Sequence, residues 1–157
     1  MLRIFGAALI FFCGVASARL LNTCARESLR QTEGFCELVR RLRSDIDCFS
    51  MPIPVSLESC PDAVLEKCGI DTRADRRTLT VLLHGCDISS PEICELMESF
   101  ASHVGMGYKQ EQLMLCDRTL ARLEEHRALL ASRLPAKQKT NGTLCLCGAL
   151  AVVILIV

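Results

Sequence analysis

The sequence predicts an all-α fold of about five helices in a compact, disulfide-stapled bundle, flanked by a signal peptide and a C-terminal hydrophobic tail. Apolar residues recur at steps of three and four, as they do on one face of a helix. No segment shows the sustained alternation and β-branched enrichment that are typical of a strand. Eight of the 11 cysteines lie in the middle of the 157-residue chain, where they can join one helix to another.

Apolar residues are concentrated at the two ends of the chain. Residues 1–18 contain 14 of them and residues 144–157 contain 13, so the middle is only as apolar as an ordinary soluble domain. The 18 basic and 18 acidic side chains balance, which argues against nucleic-acid binding, because that function needs a basic surface. We therefore expect a single cysteine-rich ectodomain over residues 19–134 and a polar stalk over residues 135–143.

The first 18 residues have the pattern of a secretory signal peptide. Arg3 precedes an apolar run from Ile4 to Val15, and Ala16-Ser17-Ala18 supplies a small-residue cleavage site. The apolar run would rise only about 18 Å as a helix, well short of the roughly 30 Å of a bilayer core. We therefore expect cleavage after Ala18, and not an uncleaved signal anchor, in a protein of the secretory pathway.

The last 14 residues are apolar and are followed by no basic residue, as in a GPI-attachment signal. Asn141-Gly142-Thr143 supplies small residues for the attachment site, although little polar spacer separates it from the tail. A short single-pass tail and another form of membrane association are the alternatives, since the tail spans about 21 Å as a helix. Asn141 also begins an N-x-[ST] glycosylation sequon, and a lipid-linked Asn141 would exclude a glycan.

Eight cysteines remain when those in the two apolar ends are set aside. An even number in a secreted domain predicts a disulfide framework, here of four bridges, with 105 possible pairings. Zinc ligation is the alternative, but the closest cysteines are eight residues apart, too far for the close pairs of zinc sites. We expect no metal. The eight predicted disulfide cysteines are Cys24, Cys36, Cys48, Cys60, Cys68, Cys86, Cys94 and Cys116.

The first half of the ectodomain is expected to contain two helical segments and a connector. A helix is predicted from Leu20 to Gln31, and Gly34 then marks a break or a kink. From Phe35 to Ile46, apolar residues form one helical stripe. Ser50-Met51-Pro52-Ile53-Pro54 is predicted to be a connector, because two prolines do not continue a helix.

The second half is expected to contain four further helical segments. A short helix over residues 61–68 has Gly69 as its C-cap. Thr72-Arg73-Ala74-Asp75 resembles a capping box and predicts that the next helix begins there. Another helix is predicted over residues 90–104, and the longest one over residues 108–134.

No catalytic, cofactor-binding or metal-binding residues are predicted, and we expect the protein not to be an enzyme. His84, His103 and His126 are far apart in sequence, and neither H-E-x-x-H nor G-x-S-x-G is present. Arginines that are expected to be exposed are a weaker candidate for binding an anionic partner, because most charge runs form solvated faces. These are Arg40, Arg41, Arg43, Arg73, Arg76 and Arg77.

In its layout the chain resembles small helical, cysteine-rich ectodomains such as the GDNF-receptor-alpha type, without a motif specific to one family. It lacks the adjacent cysteines of plant lipid-transfer proteins and the close pairs of saposins. The expected function is a cell-surface receptor, co-receptor or adhesion module that binds an extracellular protein and is attached to the membrane through its tail. The alternative is a secreted or tethered carrier of a lipid or small apolar ligand.

Overall fold

In the computed structural model, the backbone is described for residues 2–156 and the side chains for residues 13, 16–17, 19–135, 140, 143 and 147. This part of the chain is all-helical and contains no strand, which confirms the predicted class. It has six helices where about five were expected. They are α1 (Leu2–Phe49), α2 (Ile53–Glu58), α3 (Asp62–Cys68), α4 (Leu79–His84), α5 (Pro91–His103) and α6 (Lys109–Ile156).

The chain divides into two compact units. One comprises Met1–Glu27 and Leu130–Val157, and the other comprises Ser28–Leu129. Within the described residues, no helix has an apolar stretch long enough to cross a membrane. The side chains of Ala18 and Asn141, the predicted cleavage and anchor or glycan sites, lie outside the described residues.

The core lies in the unit Ser28–Leu129. The predicted stripe of α1 from Phe35 to Ile46 is confirmed, since its apolar members are at most 4% exposed. They pack in one buried cluster with Phe100 of α5 and Leu123 of α6. Burying a large apolar side chain contributes about 1.5–3 kcal/mol, so this cluster is the main stabilising feature of the unit.

The predicted break at Gly34 is wrong, because α1 continues through this residue. A Cβ atom built on Gly34 would lie 2.8 Å from the backbone nitrogen of Cys68 and 2.8 Å from the carbonyl carbon of Lys67. The glycine thus allows the end of α3 to approach α1 closely. It marks a packing contact, not a helix end.

The connector predicted over residues 50–54 is shorter than expected, because residues 50–52 are not helical but α2 already begins at Ile53. Pro52 is the N-cap, and Pro54 lies in the first turn of the helix. A first-turn residue has no intrahelical partner for its N–H, so proline loses nothing there. The next helix, α3, is confirmed with Gly69 as its cap, in the left-handed conformation with φ of 80°.

The capping box predicted at Thr72 does not begin a helix. Helix α4 begins at Leu79, and Thr78 caps it by accepting the backbone N–H three residues further on at 3.4 Å. Asp71 and Asp75 instead each accept the backbone N–H two residues further on, at 3.0 and 3.1 Å. Such local hydrogen bonds compete with a helix and favour turns.

The last two helices begin where the sequence predicted. Ser90 is the N-cap of α5, with Pro91 in its first turn. Helix α6 begins at Lys109 but continues past Leu134, where it was expected to end, with Pro135 inside it. Proline removes one backbone donor from a helix, and here the backbone continues in spite of that loss.

Candidate functional site

An open groove of about 290 Å³ lies in the unit Ser28–Leu129, where the end of α1, the start of α2 and the start of α6 meet. Ile46 and Ile53 form a buried apolar base. Lys109 and Gln112 add polar groups from α6. The remaining lining residues are Ser50, Met51, Pro52, Pro54 and Gly105.

Ser50, which lines the groove, directly follows the last residue of α1. Ser50 has a φ of 49°, in the left-handed region that residues other than glycine seldom occupy. The N–H of Met51 then donates to the carbonyl of Asp45 at 3.2 Å. Because this bond closes the last turn of α1, the chain leaves the helix towards Pro52 in a defined direction.

Lys109 joins α6 to the end of α1. Its Nζ donates to the carbonyl oxygen of Asp47 at 2.6 Å and lies 3.7 Å from the carboxylate of the same residue. A cation is favourable at the C-terminus of a helix, where unpaired carbonyls carry partial negative charge. The lysine therefore fixes the width of the groove between the two helices.

Two glycines shape the turn that leads from α5 into α6. Gly105 has a φ of 88°, and a Cβ atom built on it would lie 3.4 Å from Cγ1 of Ile53. Gly107 also has a positive φ, of 86°. The next residue, Tyr108, donates its N–H to Oε2 of Glu111 at 3.1 Å, which is the carboxylate half of a capping box.

Large apolar side chains are exposed at positions that adjoin the groove in sequence. Tyr108 is 82% exposed, Met106 71%, Phe49 70% and Val55 47%. Each is the chain neighbour of a residue that lines the groove. Scattered exposed apolar residues are normal, but four that are each next in sequence to a groove-lining residue are a candidate contact surface. We call these four side chains the apolar rim.

The sequence did not predict this surface. Its members come from three separate segments, and none of those segments has an unusual motif. Phe49 follows the core stripe of α1, and Met106 lies in a turn between glycines. Tyr108 and Met106, an aromatic residue and a methionine in a turn, are the only sequence signals of a contact surface. They indicate one only when it is known which segments lie together.

The predicted disulfide cysteines differ widely in burial. Cys36, Cys60, Cys68 and Cys116 are buried. Cys86 and Cys94 are partly buried, whereas Cys24 and Cys48 are exposed. All described cysteines are thiols in this structure, with none at bonding distance from another. The framework of four bridges therefore stays a prediction.

Burial alters the acidity of several of these thiols. It raises the pKa of Cys116 to about 11, with the neighbouring carboxylate of Asp117 acting in the same direction. It likewise raises the pKa of Cys36 and that of Cys60. A thiol reacts and binds metals as a thiolate, so burial disfavours the reactive form of these groups in the folded chain. No cluster of metal-ligand type is found among the described side chains.

A polar contact that the sequence did not predict joins His126 of α6 to the start of α5. Its Nε2 lies 3.2 Å from Oε2 of Glu92 and 3.5 Å from Oγ of Ser90. Its Nδ1 is buried and has no hydrogen-bond partner among the described residues. Both partners face the same ring nitrogen, so the residues lack the arrangement of a catalytic triad, in which the acid and the nucleophile face opposite nitrogens.

Five of the six candidate arginines are engaged within the chain. These contacts use the guanidinium groups, which weakens the hypothesis of an anion-binding patch. The hydrogen bond from Arg43 to Asp117, with Nε and Oδ1 2.5 Å apart, also lowers the pKa of that carboxyl group. The contacts are Arg40 with Glu124, Arg43 with Asp117, Arg41 with the carbonyl of Ser59, Arg76 with Asp62, and Arg77 with Asp75.

Comparison with known proteins does not assign a class. No protein-family model, no curated protein and no solved structure matches this chain.

Proposed function

We propose that this protein is a cell-surface, disulfide-rich helical ectodomain, attached to the membrane through its C-terminal segment, that binds an extracellular protein. The groove and its apolar rim are the proposed contact surface. The observation that carries this proposal is the exposure of four large apolar side chains, each next in sequence to a residue that lines an open groove with two buried isoleucines. Aromatic and methionine side chains are enriched at protein interfaces, and Tyr in particular is common at binding hot spots.

The dimensions of the groove favour a protein side chain over an enclosed apolar ligand. Its volume of about 290 Å³ is at the lower limit of most small-molecule sites, and it is open to solvent, whereas such sites enclose most of their ligand. The large side chains of the core, including Phe35, Leu57 and Phe100, are fully buried against one another. A lipid carrier would instead need a chamber lined by such side chains. We therefore prefer a protein partner to the lipid or small-ligand alternative.

The chemistry of the groove also suggests what the partner presents. Ile46 and Ile53 suit an aliphatic or aromatic anchor, whereas Lys109 is already paired with Asp47. A partner does not need to carry charge at this point. We therefore propose a partner protein with an exposed apolar side chain. This side chain enters the groove, and the partner residues around it cover the apolar rim.

The contact surface is tested by binding to cells that display the tagged full-length chain. These cells are screened against a panel of purified extracellular proteins, and each hit is repeated with the double variant Met106→Ser, Tyr108→Ser. Removing two exposed anchors should weaken binding at least tenfold, since a loss of about 1.4 kcal/mol changes Kd by that factor.

Met114→Ser is the matched control, because Met114 is also exposed, at 57%, but does not line the groove. It lies two residues beyond Gln112 in α6, and each helical residue rotates by about 100°, so it faces a different direction. Binding should be unchanged in this variant. A partner that binds the double variant as tightly as the parent would exclude the rim as the contact surface.

The proposed location has its own test. Unpermeabilised cells should stain for a tag placed after residue 18, and a phosphatidylinositol-specific phospholipase should release the protein if the anchor is GPI. Retention with the mass of the tail still present would mean a single-pass tail. A chain that stains only after permeabilisation would refute the cell-surface proposal.

A further inference from the structure

The side chain of Cys86 contacts the backbone of Cys68, where two short helices end. Cys68 is the last residue of α3, and Cys86 follows Gly85, the C-cap of α4. The sulfur of Cys86 donates to the carbonyl oxygen of Cys68 at 3.1 Å. The same sulfur lies 3.6 Å from the position that a Cβ atom on Gly69 would occupy. The Cys86 side chain thus lies over the peptide that joins Cys68 to Gly69.

This contact sets an upper limit on the distance between the two residues. A carbonyl oxygen is two bonds, at most about 2.8 Å, from its own Cα atom, so the Cys86 sulfur lies within about 6 Å of the Cys68 Cα. Bridged cysteines have Cα atoms roughly 4.4–6.8 Å apart. Since the Cys86 sulfur is itself about 2.8 Å from its own Cα atom, the two Cα atoms are at most about 9 Å apart. Side-chain rotation and a backbone adjustment of up to about 2 Å would therefore bring the sulfurs to bonding distance.

From this geometry we propose that Cys68 and Cys86 form one bridge of the disulfide framework. The pairing rests on the oxidising compartment of the proposed function, but the contact itself does not depend on it. The bridge would close the segment between α3 and α4, where residues 69–78 form turns and no helix. The two short helices, which would be only marginally stable in isolation, would then be joined at their ends.

Two other cysteines are close enough to be alternative partners, Cys94 to Cys86 and Cys60 to Cys68. Cys94 directs its sulfur along its own helix, where it donates to Oε1 of Glu98 at 3.5 Å. Cys60 precedes α3, and Arg76 donates to its carbonyl oxygen at 3.0 Å. Neither makes the direct contact with Cys86 that Cys68 makes.

Bond formation needs a disulfide oxidant, such as oxidised glutathione or an oxidoreductase of the secretory pathway. The thiolate of Cys86, which is partly exposed, attacks one sulfur of the oxidant, and one oxidant thiolate leaves. The thiolate of Cys68 then attacks the Cys86 sulfur of this mixed disulfide and expels the second oxidant thiolate. Two protein thiols are oxidised, one oxidant disulfide is reduced to two thiols, and the two protons end on those thiols.

The environment of the pair indicates when this reaction takes place. Burial and the neighbouring Cys86 raise the pKa of the Cys68 thiol, and burial raises the pKa of Cys86 to about 11. Few thiolates are thus present at neutral pH once the chain has folded. The bridge should form during folding and should form slowly in a chain that has folded in the reduced state.

The test is a peptide map of the full-length chain. The reduced protein is refolded in detergent with a mixture of reduced and oxidised glutathione, its free thiols are alkylated, and it is digested with trypsin and a Glu-specific protease. Cleavage after Lys67 and Arg73 isolates Cys68 in residues 68–73, and cleavage after Arg77 and Glu92 isolates Cys86 in residues 78–92. We expect these two peptides as one linked mass that separates on reduction.

Variants and the remaining outcomes decide the pairing. Cys86→Ser should abolish the linked mass, whereas Cys94→Ser should retain it. Recovery of both peptides in alkylated form, or of Cys68 linked to a different cysteine, would overturn the proposal. Because the oxidation is carried out with the purified chain, these outcomes are independent of whether the protein reaches the cell surface.

Discussion

Gly34 lies directly against the backbone of Cys68, so that a Cβ atom on the glycine would come within 2.8 Å of the Cys68 nitrogen. Contacts this short between a Cβ atom and backbone do not relax without moving a helix. We expect Gly34→Ala to lower the free energy of unfolding by about 1–3 kcal/mol, the usual cost of overpacking. Thermal or urea unfolding followed by circular dichroism in detergent measures this loss.

The direction of that effect distinguishes packing from helix propensity. Alanine favours a helix over glycine by about 1 kcal/mol, so a purely local effect would make Gly34→Ala stabilising. Gly85→Ala is the matched control, because a Cβ atom there would meet nothing closer than 4.0 Å. It should change stability by less than about 0.5 kcal/mol. An unchanged or raised stability for Gly34→Ala would contradict the close approach of α3 to α1.

The same glycine shows how far the sequence predicts the fold. The spacing of apolar residues predicted the buried stripe from Phe35 to Ile46, because such a stripe depends on the sequence of one helix alone. It could not tell whether Gly34 ends a helix or accommodates a neighbour, because that depends on where Cys68 lies. The connector before α2 is shorter than predicted for a related reason, since a proline that begins a helix and one that prevents it differ only in their position relative to the first turn.

The candidate site was predictable only in part. The cysteines could be recognised by number and spacing, but the contact between Cys68 and Cys86 arises because α3 and α4 end near each other. The apolar rim required three segments to meet, and a single residue such as Tyr108 gives no sign of this in sequence. Pair contacts between distant segments are not encoded in local periodicity.

Gln31 should be essential for holding the segment after α4 against α1. Its Nε2 donates to the carbonyl of Asp87 at 2.9 Å, and its Oε1 accepts the N–H of Ser89 at 3.1 Å. Gln31 is only 6% exposed, so Gln31→Ala would leave both backbone groups without their partner. We expect a loss of about 2–3 kcal/mol, measured by urea unfolding.

Two further variants show whether this pair of hydrogen bonds is responsible. Gln31→Glu keeps the acceptor for Ser89 but replaces the donor with a second carboxylate oxygen facing the carbonyl of Asp87. It should therefore also be destabilising above about pH 5, where a glutamate is ionised. Gln110→Ala, at an exposed position of α6, should change stability by less than about 0.5 kcal/mol. Equal effects of the alanine variants at 31 and 110 would refute the role assigned to Gln31.

The start of α4 should depend on Thr78 and not on the earlier Thr72. Thr78→Ala removes the hydroxyl that accepts the backbone N–H of Val81, and loss of such a cap costs about 1 kcal/mol. Thr72→Ala should cost clearly less, because the Thr72 side chain does not cap α4. Chemical denaturation of the two variants side by side gives the comparison. A larger loss for Thr72→Ala would restore the capping box that the sequence suggested.

Alkaline pH should destabilise the fully reduced protein through its buried thiols. Burial raises the pKa of Cys116 to about 11 from the ordinary 9.0, so the folded chain holds this proton more tightly than the unfolded chain does. The stabilising contribution is therefore complete below about pH 9 and is lost as the pH rises through about 11. In a reducing buffer, Tm should therefore fall as the pH is raised from about 9 to about 11. Cys116→Ala should make this fall less steep. Cys48→Ala, which removes an exposed thiol, should leave the slope of Tm against pH unchanged. If Cys116→Ala has the same slope as the parent, the Cys116 thiol loses its proton at the same pH in the folded and the unfolded chain, which would contradict this prediction.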